Sequence, residues 1–164
     1  DFYGSDEVVY ASGNTVHAKV LPITSLGTLA LASAPQQVLP ITGRAGKPYP
    51  PAQVRLNGTS YPATIPVVGD LVVTWLTRNR ITQGARVYDT EAANVAAEAG
   101  TTYTCRLVTS GNVLISQQTG ITGTTATFTA GAMGANYNDL RMQVFSVRDG
   151  IESFQRHDIM FSRV

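Results

Sequence analysis

The sequence predicts an all-β chain, a β-sandwich preceded by a short β segment from an adjacent module. Three observations predict it. Short runs alternate, as where Leu71, Val73 and Trp75 share one face while Val72, Thr74 and Leu76 take the other, the signature of a strand buried on one side. Turn signals rich in Gly, Asn, Asp, Ser and Pro separate these runs. No segment sustains an i, i+3, i+4 apolar repeat of convincing length.

Residues 1–46 read as the end of a preceding β module with its linker. "EVVYASGNTVHAKVLPI" offers two short strands around Ser12-Gly13-Asn14, and "LGTLALAS" offers a third, too little for a core of its own. "GRAGKPYPPAQV" then breaks the pattern. The three prolines at 48, 50 and 51 favour a stiff, extended connector that cannot enter a central sheet ladder.

Residues 47–164 form the sandwich. The expected strands are Ala52–Leu56, Leu71–Leu76, Thr102–Val108, Val113–Gln117, Thr124–Thr129, Leu140–Val147 and Arg156–Ser162. Seven short strands in about 115 residues suit a fibronectin-type sandwich. Alternation assigns the inward face to Val54 and Leu56, then to Leu71, Val73 and Trp75. Tyr103, Cys105 and Leu107 follow, then Ala126 and Phe128, Leu140, Met142 and Val144, and Ile159 and Phe161. Trp75, the one tryptophan, packs across the sandwich against the Tyr103 strand and anchors the core. The best helical stretch, Asp89 to Gly100, is a minor excursion rich in Ala and Glu.

Composition narrows the function classes. Twelve Lys and Arg against eleven Asp and Glu leave a net charge of +1, so the basic stripe of a dedicated nucleic-acid binder is missing. Partners are expected to be proteins or sugars. A single Cys105 excludes an internal disulfide and a CxxC metal site, and its alternation with Tyr103 and Leu107 makes it a buried apolar residue. No apolar run reaches the roughly 18 residues needed to cross a bilayer. A chain that opens on Asp1 is expected to be a fragment or a processed product.

Motifs that could carry chemistry fall away in turn. "GRAGKP" lacks the glycine spacing of a phosphate loop and has Pro48 where Ser or Thr should hold magnesium. His157 and Asp158 are neighbours on a strand and point to opposite faces, so they cannot form the orienting pair of a nucleophilic triad. Asp89, Glu91 and Glu98 read as solvated acids. "NGT" at Asn57–Thr59 reads as a turn after the first strand, and "NYND" at Asn136–Asp139 as a turn entering the Leu140 strand. No catalytic residue, metal or cofactor is expected.

Several side chains are candidates for a contact surface. Arg78 and Arg80 trail the Trp75 strand, Met133 and Tyr137 sit in the Gly-rich "GAMGANYND", and Ile151 and Phe154 lie near the Asp149-Gly150 turn. Loop-borne aromatics and Arg on a rigid sandwich suit recognition.

With the pieces in order, "GRAGKPYPPAQVR", "GDLVVTWLTRNRI", "AAEAGTTYTCRLV" and "LRMQVFSVRDGIESFQRHDIMF" resemble the fibronectin type III-like C-terminal region of long-tailed bacteriophage tail-tip proteins. These are the hub and central-fibre proteins, including those of gene transfer agents. The match runs from about residue 43 to 164, with Gly43, Arg44, Lys47, Pro48, Tyr49, Leu71, Thr74, Trp75, Arg78, Arg80, Glu98 and Tyr103 at corresponding places. The insert "TSYPATIPVVG" is longer and more apolar than the family pattern, and the penultimate strand lacks the usual tyrosine. The insert is expected to pack along a sheet edge or a neighbouring subunit.

The resemblance implies a non-enzymatic structural component of a tail tip or baseplate, on the virion and extracellular once assembled. It implies partners among other tail-tip proteins, a host-envelope receptor or polysaccharide, no nucleic acid, and a homotrimer in the intact protein. Another function class the sequence allows is a fibronectin-like accessory or carbohydrate-binding module of a secreted enzyme.

Overall fold

The computed structural model describes residues 13–43, 46–83, 95–135 and 138–164. Contacts divide the chain into two units, Asp1–Gly46 and Lys47–Val164.

In the first unit β1 (Thr15–Lys19) pairs antiparallel with β4 (Gln36–Pro40), and β2 (Ile23–Thr24) pairs with β3 (Gly27–Thr28). The partner of β1 lies some twenty residues on, so the sequence reading missed β4. The expected strand in "LGTLALAS" shrinks to Gly27–Thr28. Of the expected pair around Ser12-Gly13-Asn14, only the second member is described, because residues 1–12 lie outside the described residues. Ala34 is the single buried residue among those described in this unit.

The second unit is an all-β sandwich. One sheet has the order β10 (Thr125–Phe128), β7 (Leu71–Leu76), β5 (Ala52–Leu56). The other runs β6 (Thr64–Ile65), β13 (His157–Arg163), β11 (Leu140–Arg148), β8 (Thr102–Thr109), β9 (Leu114–Ile121), with β12 (Ile151–Glu152) paired to the end of β11. The chain changes sheet between β5 and β6, β6 and β7, β7 and β8, β9 and β10, and β10 and β11. With the two-residue β6 and β12 set aside, three strands face four, the order of a fibronectin type III-like sandwich.

Inward residues of the two sheets interdigitate into one core. Trp75 meets Tyr103 with ring centroids 5.3 Å apart and planes tilted by 54°, an edge-biased geometry that aromatic pairs favour. Leu71, Val73, Cys105, Phe128, Met142, Val144, Ile159 and Phe161 complete it, and all are buried.

Turn chemistry sets the registers. Asn57 (φ 48°) and Gly58 (φ 81°) take left-handed conformations after β5, as do Asp149 (φ 52°) and Gly150 (φ 75°) between β11 and β12. Asn-Gly and Asp-Gly are the pairs that reach these two-residue hairpin turns with least strain. Asn57 also extends the sheet, its Oδ1 accepting from the Val72 N–H at 2.8 Å.

The apolar insert between β5 and β7 closes a sheet edge. Through β6 it pairs parallel to β13, Thr64 opposite Ser162 and Ile65 opposite Arg163. The buried Arg163 guanidinium donates to the carbonyls of Val67 at 2.6 Å and Gly134 at 3.0 Å. The strap thereby covers part of an edge that would otherwise offer unpaired backbone groups.

Of the expected helix at Asp89–Gly100, residues 89–94 lie outside the described residues, and Val95–Gly100 is irregular chain ending in a turn. The described helix is the single turn α1 (Ala130–Met133), capped by Thr129, whose Oγ1 accepts from the Ala132 N–H at 3.2 Å.

Candidate functional site

The two arginines trailing β7 are turned to internal duties. Arg78 lies over the Tyr49 ring at 5.0 Å, a cation–π contact that ties the proline-rich lead-in to the end of β7. Arg80 reaches Glu98, Nη2 to Oε1 at 2.9 Å, and Arg148 approaches the same oxygen from β11 at 3.2 Å. The Glu98 side chain is only 3% exposed while both arginines are about a quarter exposed. A buried carboxylate between two half-buried guanidinia is a compensated charge, and removing both arginines would leave it orphaned. The expectation that Glu98 is a solvated acid is therefore corrected: two cations hold it inside. Asp89 and Glu91 lie outside the described residues.

Met133 is also corrected as a contact residue. It is fully buried in the core cluster, because the α1 turn rotates its side chain inward while its glycine neighbours merely look loop-like in sequence. Tyr137 lies outside the described residues. Ile151 is half-buried in β12, and Phe154 is 59% exposed with Lys47 Nζ 5.9 Å from its ring centre. Of the six proposed contact residues, Met133 alone is withdrawn by its burial.

His157 has a structural assignment. Its Nε2 donates to the Pro51 carbonyl at 2.7 Å, and Tyr61 Oη lies 3.3 Å from Nδ1. Asp158 faces elsewhere, held in a bidentate pair by Arg141. Cys105 is buried and its thiol is pushed up to about 12 by desolvation, so it is a packing residue. Among the described residues no group of three or more His, Cys, Asp and Glu is placed to hold a metal ion, and no helix is long and apolar enough to cross a membrane.

The most organised polar surface is one that sequence reasoning did not single out, the outer face of the larger sheet. Register places Gln117 opposite Arg106, Arg106 opposite Gln143, and Gln143 opposite Asp158, a transverse row over four strands. Beside it run Leu114, Val108 and Arg141. Beneath lies Phe145, 1% exposed although it points away from the core, with the guanidinium carbons of Arg106 and Arg156 at 4.9 and 5.4 Å from its ring centre. Glu152 approaches both arginines, at 3.6 and 3.8 Å, and Arg141 donates to Asn112 Oδ1 at 2.9 Å. The result is a depression of about 570 Å³ lined by Arg106, Val108, Asn112, Leu114, Gln117, Gln143 and Arg156. Its size falls in the range of small-ligand sites. Arg106 and Gln143 alternate with the core residues Cys105, Leu107, Met142 and Val144, and the registers make them neighbours.

Compared with known protein families and with curated proteins, the chain matches none.

Proposed function

We propose that this chain is a structural, non-enzymatic module of a bacteriophage tail tip, a fibronectin-like sandwich that a trimeric hub or central-fibre protein displays for tail assembly and host-cell attachment. One observation carries the reading. The residues behind the resemblance, far apart in sequence, meet in three pairs: Tyr49 under Arg78, Trp75 on Tyr103, and Arg80 on Glu98. A spaced set of residues that meets in pairs supports a common folded pattern and argues against a coincidence of composition.

The mechanism asks for no reacting group. A rigid sandwich repeated around a tail axis raises avidity through several weak contacts at once, so modest affinity per copy suffices. The test is to raise antibodies against residues 47–164 and apply them, gold-labelled, to tailed particles recovered from the source. Label at the distal tip is expected. Intact particles that carry no label, with the chain recovered as part of a secreted enzyme, would replace this reading by the accessory-module one.

A further inference from the structure

We propose that the depression on the outer face of the larger sheet binds an acidic saccharide, with a sugar-borne carboxylate on the Arg106–Arg156 pair and the ring hydroxyls on Asn112, Gln117 and Gln143. The inference goes beyond the tail-tip reading and holds whichever assembly carries the domain.

The argument starts from the two guanidinia. Both stack on Phe145, and a planar fork held by an aromatic face loses less freedom when it binds a carboxylate than a free side chain would. Their existing contacts are long. Glu152 stands 3.6 and 3.8 Å away, and Arg156 Nη1 is 3.5 Å from Gln143 Oε1, beyond the 2.7–2.9 Å of a charge-assisted hydrogen bond. Donor capacity is therefore left for an oxyanion.

Charge has the right sign. Arg106, Arg141 and Arg156 face the depression or its rim, against Glu152 and Asp158, and the β9 side of the row contributes no charge. One positive charge is in surplus. Arg141 and Asp158 satisfy each other in bidentate fashion, so the surplus falls on the Arg106–Arg156 pair that shares Glu152.

The remaining lining favours a sugar over a bare anion. The exposed amides of Asn112 and Gln117 can each donate and accept, as hydroxyl groups require, Gln143 lies on the floor with long contacts of 3.3 Å to Asp158 and 3.5 Å to Arg156, and the half-exposed Leu114 offers apolar surface to the C–H face of a pyranose. An inorganic oxyanion would use the arginines and leave this lining idle.

The experiment is titration of the whole chain with oligogalacturonate, followed by backbone amide shifts and calorimetry, beside the same oligomer with its carboxyls reduced to alcohols. Binding of the acidic oligomer is expected, at least tenfold tighter than the reduced one, with the largest shifts at Arg106, Gln117 and Gln143. Arg106→Gln with Arg156→Gln should weaken it at least tenfold. Gln117→Glu sets a carboxylate on an exposed position beside Arg106 and should do the same with no cost to folding, which Trp75 fluorescence checks. Arg55→Gln removes one charge from the opposite sheet and should leave binding unchanged. Absence of binding, equal affinity for the reduced oligomer, or equal weakening by Arg55→Gln would each overturn the proposal.

Discussion

Tyr103 and Cys105 sit two residues apart on the inward face of β8, both with essentially no exposure. Burial pushes each up to about 12, from ordinary values of 10.0 for the phenol and 9.0 for the thiol. Desolvation disfavours the charged form, so the folded state keeps both protons after the unfolded chain has begun to lose them. The folded pKa lies above the unfolded one, and the stability this contributes is present below pH 9 and is lost as pH climbs toward 12. Each group costs about 1.4 kcal/mol per pH unit within its window. From pH 9 to 11 the thiol removes stability first, and the phenol adds its own loss above pH 10. Urea midpoints read from Trp75 fluorescence at pH 8, 9 and 10 should fall accordingly. Cys105→Ala should show a shallower fall above pH 9, because one of the two titrations is gone. Parallel curves for the two proteins would mean that the thiol ionises freely in the fold.

At the scale of elements, the turn after β5 makes the sharper demand on sequence. Gly58 holds φ 81°, and a Cβ there would meet nothing within 4 Å, so substitution costs backbone conformation alone. Gly58→Ala should destabilise by about 1 kcal/mol. Gly131, in α1 with equally open surroundings, is the control: Ala there should be neutral or slightly stabilising, since helix propensity favours it. Chemical denaturation of the two variants separates them, and equal losses would point to packing as the cause. The same elements show what could be read beforehand. Strands such as Ala52–Leu56 and Leu71–Leu76 agree with the structure end to end, because five or six alternating residues are enough to reveal a period of two. β6 and β12, two residues each, are too short to show any period and exist through their partners. Met133 was misjudged because glycine on either side describes the backbone's freedom and says nothing of where a tertiary pocket lies. The row from Gln117 to Asp158 was illegible for another reason. Its members come from four strands, and only hydrogen-bonded register makes them neighbours.

For the whole molecule, the two units differ in what they bury. Every member of the core cluster, from Val54 to Phe161, belongs to residues 47–164. The described part of the first unit instead leaves Val20, Leu21, Ile23, Leu26, Leu31, Val38 and Leu39 exposed, Leu26 at 98%. Two-stranded pairs bury little between their faces, and a unit as short as Asp1–Gly46 is marginal on its own. The sandwich closes both its sheets over one core. A protein consisting of residues 47–164 should therefore unfold in one cooperative transition, with a Tm within about 5 °C of the full chain. Calorimetry of the two proteins side by side makes the comparison, and Trp75, buried against Tyr103, reports the same event optically. A drop of more than about 10 °C, or a broad transition, would correspond to well over 1 kcal/mol of lost stability in a domain of this size. It would place part of the sandwich's stability in residues 1–46. A matched Tm would assign the stability to the sandwich core alone, with no share in it for the exposed apolar residues of the first unit.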